Sequence, residues 1–151
     1  MGAEAFKMDT VAWGTFPKKW VSLKRAKTGY VVYEPCDGKT PAIDFDSFKL
    51  TIEGQWQDGP TDFEIRSFQK TGEHEYQTIS ISDWARVKLK MRLVGPKLNL
   101  WLFDGFVIEG ESEQYLRWVV TTESNSKKFP VIKNPCPTMK IPEKQFLKDE
   151  F

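Results

Sequence analysis

Few side chains in this sequence can do proton or electron chemistry, and their spacing limits them further. The chain has one His and two Cys. A single His excludes a two-His metal site, and His74 falls in the polar turn Gly72-Glu73-His74-Glu75. Cys36 and Cys136 stand in similar settings, Pro35-Cys36-Asp37 and Pro135-Cys136-Pro137. That spacing does not resemble a zinc site, and a catalytic thiol needs a basic partner that the turn His does not offer. A bridge between the two would close a loop of about 100 residues, worth up to ~4.7 kcal/mol in chain-entropy terms. Two unpaired thiols are the alternative, and a reactive thiol is a third. Carboxylates offer another route. Asp44 and Asp46 are one strand period apart, and Glu109, Glu111 and Glu113 surround a turn. Two carboxylates of split pKa can hydrolyse a glycosidic bond, yet acids at spacing two occur on any solvated strand face. No Walker loop, Gly-x-Ser-x-Gly elbow or dinucleotide fingerprint is present. The expectation is no metal, no cofactor and no catalytic residue.

Binding chemistry is better represented. Aromatic residues make up 14% of the chain, with six Trp, so large flat apolar surfaces are its most abundant functional material. Trp56, Trp84, Trp101 and Trp118 lie in or beside sequence-predicted strands, where they could line a pocket or fill a core, burying ~150–250 Å² each. Trp101 and Phe103 alternate with Leu98, Leu100 and Leu102, so that strand is apolar on both faces. We take the Leu set as the inward one. The other face is then covered by the tail or left as a contact surface. Arg86, Lys88, Lys90 and Arg92 form a cationic ladder on one strand face. It is either an anion-binding face or a solvated wall answered by Glu64, Glu75, Glu109 and Glu111. The formal net charge is +1, which argues against a nucleic-acid partner on global electrostatics. No apolar run approaches the ~20 residues of a membrane span. Met1 to Thr10 lacks a signal-peptide core, which predicts a cytoplasmic protein, or a secreted or periplasmic one if a signal was removed.

The elements that must position these residues read as strands. Val87, Leu89, Met91 and Leu93 alternate with the ladder at a period of two, the pattern of a half-buried antiparallel strand. Gly95-Pro96 predicts a turn, and Asp104-Gly105 a hairpin between Leu98–Leu102 and Phe106–Glu109. Further strands are expected at Trp20–Leu23, Gly29–Glu34, Phe48–Trp56 with a bulge near Ser47, Thr61–Gln69, Tyr76–Ile81 and Tyr115–Thr121. Four of the nine prolines are Pro130, Pro135, Pro137 and Pro142, so the tail should run as an irregular strap, with one helical turn over Glu143–Lys148. The fold class is all-β: one domain over 1–151, with an antiparallel up-and-down meander over about 13–122. The meander closes into a barrel of about eight strands, and a proline-rich strap covers 123–151.

At this point the chain resembles the lipocalin-like, or calycin, barrels. Trp13-Gly14-Thr15-Phe16 stands where that superfamily has Gly-x-Trp. Phe16 breaks the motif, leaving Trp13 or Trp20 to fill the Trp role. Arg117 in Tyr115-Leu116-Arg117-Trp118 matches a late-strand Arg packed over that Trp. The resemblance implies a barrel with a small apolar or aromatic molecule in its lumen, and a disulfide such as Cys36–Cys136 tying the tail to the wall. Candidate ligand-binding residues are Trp56, Tyr76, Trp101 and Trp118, with Arg117 as polar anchor or structural cap. A β-sandwich module binding carbohydrate or protein on an outer aromatic face is the first alternative, and a carboxylate-based hydrolase the second.

Overall fold

The computed structural model describes residues 7–36, 40–56, 59–134 and 146–151. Among them the chain is all-β, with eleven strands: β1 (Lys7–Met8), β2 (Lys19–Ala26), β3 (Gly29–Glu34), β4 (Ala42–Asp46), β5 (Lys49–Glu53), β6 (Thr61–Gly72), β7 (Glu75–Ile81), β8 (Arg86–Gly95), β9 (Leu100–Glu109), β10 (Ser112–Thr122) and β11 (Val131–Lys133). Two short helices, α1 (Thr10–Thr15) and α2 (Glu123–Ser126), and one 3₁₀ turn at Pro96–Leu98 complete the described elements. No helix among the described residues is long and apolar enough to cross a membrane.

Strands β2, β4, β5, β6, β7, β8, β9 and β10 follow one another as antiparallel neighbours, and β10 pairs back onto β2. The pairing thus runs round a ring of eight strands. The expected meander is interrupted once, because β3 folds out of the ring after its hairpin with β2. β1 extends the β5 edge of β6 by parallel pairing at Ser67 and Phe68.

Alternation places one apolar face of each strand inside the ring. Phe45, Leu50, Ile52, Phe63, Ile65, Phe68, Val87, Leu89, Met91 and Phe103 are at most 1% exposed and form one cluster. The interior is therefore occupied by side chains, as in a packed core. One rim is plugged. Asp9 caps α1 by accepting from the Ala12 amide at 3.0 Å, and the chain after α1 inserts Phe16 among six aromatic rings. Trp13 closes the same end. It stacks on Phe48 at 5.2 Å, and the Lys18 ammonium lies 3.6 Å from its ring centroid while donating to its carbonyl. Burial pulls the Lys18 pKa down, and the charge of Asp46 opposes that shift.

A second apolar cluster lies outside the ring. Leu23, Leu100, Leu102 and Val119 face outward and are covered by Tyr30 and Val32 of β3 and by Phe129 of the tail. The tail is a strap in the described part: β11 runs parallel to β3, Leu147 bridges Arg25, and Arg117 on β10 holds Asp149.

Four local expectations are corrected. The segment around Ser47 is a hairpin, not a bulged strand. β4 and β5 pair Asp46 with Lys49 across a two-residue turn whose Ser47 and Phe48 both have left-handed backbone, φ 50° and 58°. Asp104-Gly105 does not turn. β9 runs straight through it, and Gly105 is needed because a Cβ there would fall 1.8 Å from the Lys88 carbonyl oxygen. In β9 the inward residues are Trp101 and Phe103, while Leu100 and Leu102 face the strap. The helical turn over Glu143–Lys148 lies partly outside the described residues, and Phe146–Lys148 is not helical.

Candidate functional site

The residues available for binding gather at the rim where β5 and β7 end and β6 and β8 begin. Gly54 follows β5 with φ 95°, and its Cα faces Pro41 so closely that a Cβ would lie 2.8 Å from the proline ring. A glycine is required for the turn that delivers Gln55 and Trp56 to the rim. Across the opening, the Ser82 hydroxyl accepts from the amides of Trp84 and Ala85 at 3.3 and 3.2 Å, fixing the β7–β8 turn. That turn lays Trp84 against Trp56 in an edge-to-face contact at 5.6 Å. Phe63 lies 5.7 Å from Trp84 and 6.0 Å from Trp56. Trp118 on β10 points inward and donates its indole N–H to the Gln55 side-chain oxygen at 3.3 Å.

The result is a rim of three tryptophans above a packed floor. Trp84 is 39% exposed, while Trp56 and Trp118 are half-buried against the interior cluster. Flat apolar faces with one carboxamide can bury and orient a small ring system. One polar group is left over inside the ring. The Ser80 hydroxyl is buried and has no hydrogen-bond partner among the described residues, with Ile65 and Val87 as its cross-strand neighbours. Its neighbour Thr78 is satisfied by the Ser67 carbonyl at 2.8 Å.

The residues expected from sequence to share a pocket are distributed over three places. Trp56 and Trp118 reach the open rim. Tyr76 and Trp101 are at the opposite, plugged end, 6.1 Å apart and both against Phe16. The Trp101 indole N–H is spent on the Asn99 side chain at 3.0 Å. Arg117 lies on the outer face of β10 and contacts neither Trp13 nor Trp20. Its guanidinium forks onto Asp149, which raises its pKa and holds the Asp149 carboxyl below its ordinary value. Arg117 therefore acts as a strap clamp. Gln55 and Phe63 were not singled out from sequence, and Trp84 was weighed among the strand aromatics but not placed in the candidate ligand set. The Ser82-Asp83-Trp84 turn signal, between two alternating strands, was the available clue for the last.

The carboxylates singled out from sequence lie at three places on the outside of the ring. Asp44 lines an outer concavity of about 210 Å³ with Lys19, Glu53 and Glu123, whereas Asp46 is exposed at the β4–β5 hairpin. Glu109, Glu111 and Glu113 are exposed around the β9–β10 turn. No group of three or more His, Cys, Asp or Glu that could hold a metal ion occurs among the described residues. Cys36 is disulfide-bonded, and Cys136 lies outside the described residues. Comparison with protein-family models, curated proteins and solved structures finds no match.

Proposed function

We propose that this chain is a lipocalin-like barrel that binds a small apolar or aromatic molecule without catalysis, at the tryptophan rim rather than deep in the lumen. The observation that carries this is the convergence of Trp56, Trp84 and Trp118 on the unplugged rim, with Gln55 as the polar group beside them. The eight-stranded ring, and the N-terminal plug leading into a strand that opens on buried Trp20, support the barrel comparison. The filled interior favours a shallow seat. Binding energy would come from burying ring faces, at ~25 cal/mol per Å² of apolar surface. Arg117 has no part in this seat.

A neutral fluorescent probe, N-phenyl-1-naphthylamine, tests the proposal. Titration should give saturable enhancement with energy transfer from tryptophan. Trp84→Ala and Trp56→Ala should each weaken binding about tenfold, the cost of one lost aromatic contact of ~1.4 kcal/mol. Tyr76→Phe, at the plugged end, should leave it unchanged. Equal affinity in wild type and both rim variants would sink the rim assignment.

A further inference from the structure

A separate surface carries a different chemistry. The ladder Arg86, Lys88, Lys90 and Arg92 lies on the outer face of β8, spanning about 20 Å at ~6.8 Å between successive cations. Carboxylates on the adjoining strands offset only part of its charge: Glu75 stands opposite Arg92, and Asp104 opposite Lys90. Lys90 reaches Glu75 at 3.8 Å, and Asp104, beside it on β9, keeps its charge while accepting from the Tyr115 hydroxyl at 3.2 Å. The side chains of Lys88 and Arg92 make no ion pair or hydrogen bond among the described residues. Lys88 stands opposite Ile79 on one side and Phe106 on the other. Phe106 stands in turn opposite Tyr115, ring centroids 5.4 Å apart, and these two rings are 42% and 52% exposed. Lys88, Lys90, Arg92, Asp104, Phe106 and Tyr115 border one open concavity of about 330 Å³.

We propose that this face of β8, β9 and β10 binds single-stranded nucleic acid. Phosphates follow the cations along β8, and unstacked bases lie sideways over Phe106 and Tyr115, one and two strand spacings of ~4.8 Å away. The ladder pitch is about twice the 3.4 Å rise of a stacked strand, so it suits an extended strand whose bases have separated. The exposed aromatic pair beside the cations supplies flat faces for bases, which a site for a bare anion does not need. The whole chain carries only +1, so the attraction has to come from a local surplus such as this strand face. Net charge does not report a local surplus, so composition alone argued against such a partner.

Fluorescence anisotropy with a labelled oligodeoxythymidine of about 15 nucleotides is the direct experiment. Binding should be salt-sensitive, with a log–log slope of about −0.7 per phosphate for two to three phosphates. Lys88→Ala combined with Arg92→Ala should weaken it at least about tenfold and flatten the slope. Phe106→Ala should weaken it about tenfold while leaving the slope intact, since stacking carries no counterion. All three side chains are outside the core, and matching thermal melts check that the variants fold. Trp84→Ala should have no effect, which separates this face from the rim. Three results overturn the proposal: no binding at low salt, equal affinity for a duplex of the same length, or binding to heparin fragments that equals the oligonucleotide and ignores Phe106→Ala.

Discussion

Arg117 holds Asp149 in a two-pronged grip, Nε to Oδ2 at 3.1 Å and Nη2 to Oδ1 at 2.8 Å, fastening the end of the strap to the outer wall of β10. Both side chains are less than a third exposed, so the pair is better shielded than an ordinary surface bridge. Hydrogen bonding to Arg117 is the main cause of the lowered Asp149 pKa. A carboxyl depressed in the folded state stabilises above its unfolded pKa of about 3.9, and that stability is lost as pH falls through the folded value. Melting curves should show wild type losing about 1 kcal/mol more than Asp149→Asn between about pH 5 and pH 3. At neutral pH the variant should be the less stable of the two. Parallel pH profiles would show that the grip has no energetic weight.

Phe16 is 3% exposed and meets Trp20, Phe45, Phe68, Tyr76, Trp101 and Phe103. With Trp13, which meets Phe45 and Phe68, it joins the plug to the ring interior. Phe16→Ala should cost about 3–5 kcal/mol in urea unfolding, the range for a large aromatic removed from a packed core. A loss under about 1 kcal/mol would mean that the plug unfolds separately from the ring.

Most of the ring was legible because its strands have one wet face. In β8 the period-two pattern put Val87, Leu89 and Met91 inside, and each is at most 1% exposed. Legibility failed where that asymmetry disappears. β9 is apolar on both faces because a strap covers its outside, and the register shift between Leu93 and Gly95 breaks the parity carried over from β8. The Ser47-Phe48 turn has no Gly or Asn to announce left-handed backbone; Phe48 is held there by stacking on Trp13. Of the candidate site, Trp56 and Trp118 were readable as strand aromatics. Their separation from Trp101 and Tyr76 was not, because alternation reports which face a residue occupies but not which rim it is near. Arg117 was placed on its strand correctly, while its partner came from a tail segment with no pairing signal.

Gly105 tests the close approach of β8 and β9. Any side chain there meets the Lys88 carbonyl oxygen, a backbone atom that cannot rotate away. Gly105→Ala should cost about 3 kcal/mol or more, as overpacking against fixed backbone does. Gly110→Ala is the comparison, since that glycine has φ 58° with open space around it and should cost only about 1 kcal/mol of conformational strain. If the two variants unfold at the same urea concentration, the Lys88 contact is not the reason for a glycine at 105.

The disulfide at Cys36 predicts a thiol count and a stability change. Cys36 follows β3, and the strap strand β11 lies parallel to β3, with Lys133 level with Glu34. The chain has two cysteines, so a bridge within it must use Cys136, shortly beyond β11 in sequence. Protein denatured without reductant should then give no free thiol. Reduction should lower the melting temperature, because opening a loop of about 100 residues removes up to ~4.7 kcal/mol of constraint on the unfolded chain. The tail should also become the first site of proteolysis, since the short pairing of β11 with β3 and the contacts of Lys133 and Asn134 would be left to hold that segment. Two free thiols in the unreduced protein would remove the bridge. A normal thiol count with an unchanged melting temperature after reduction would instead show that β11 and the Arg117–Asp149 grip hold the strap by themselves.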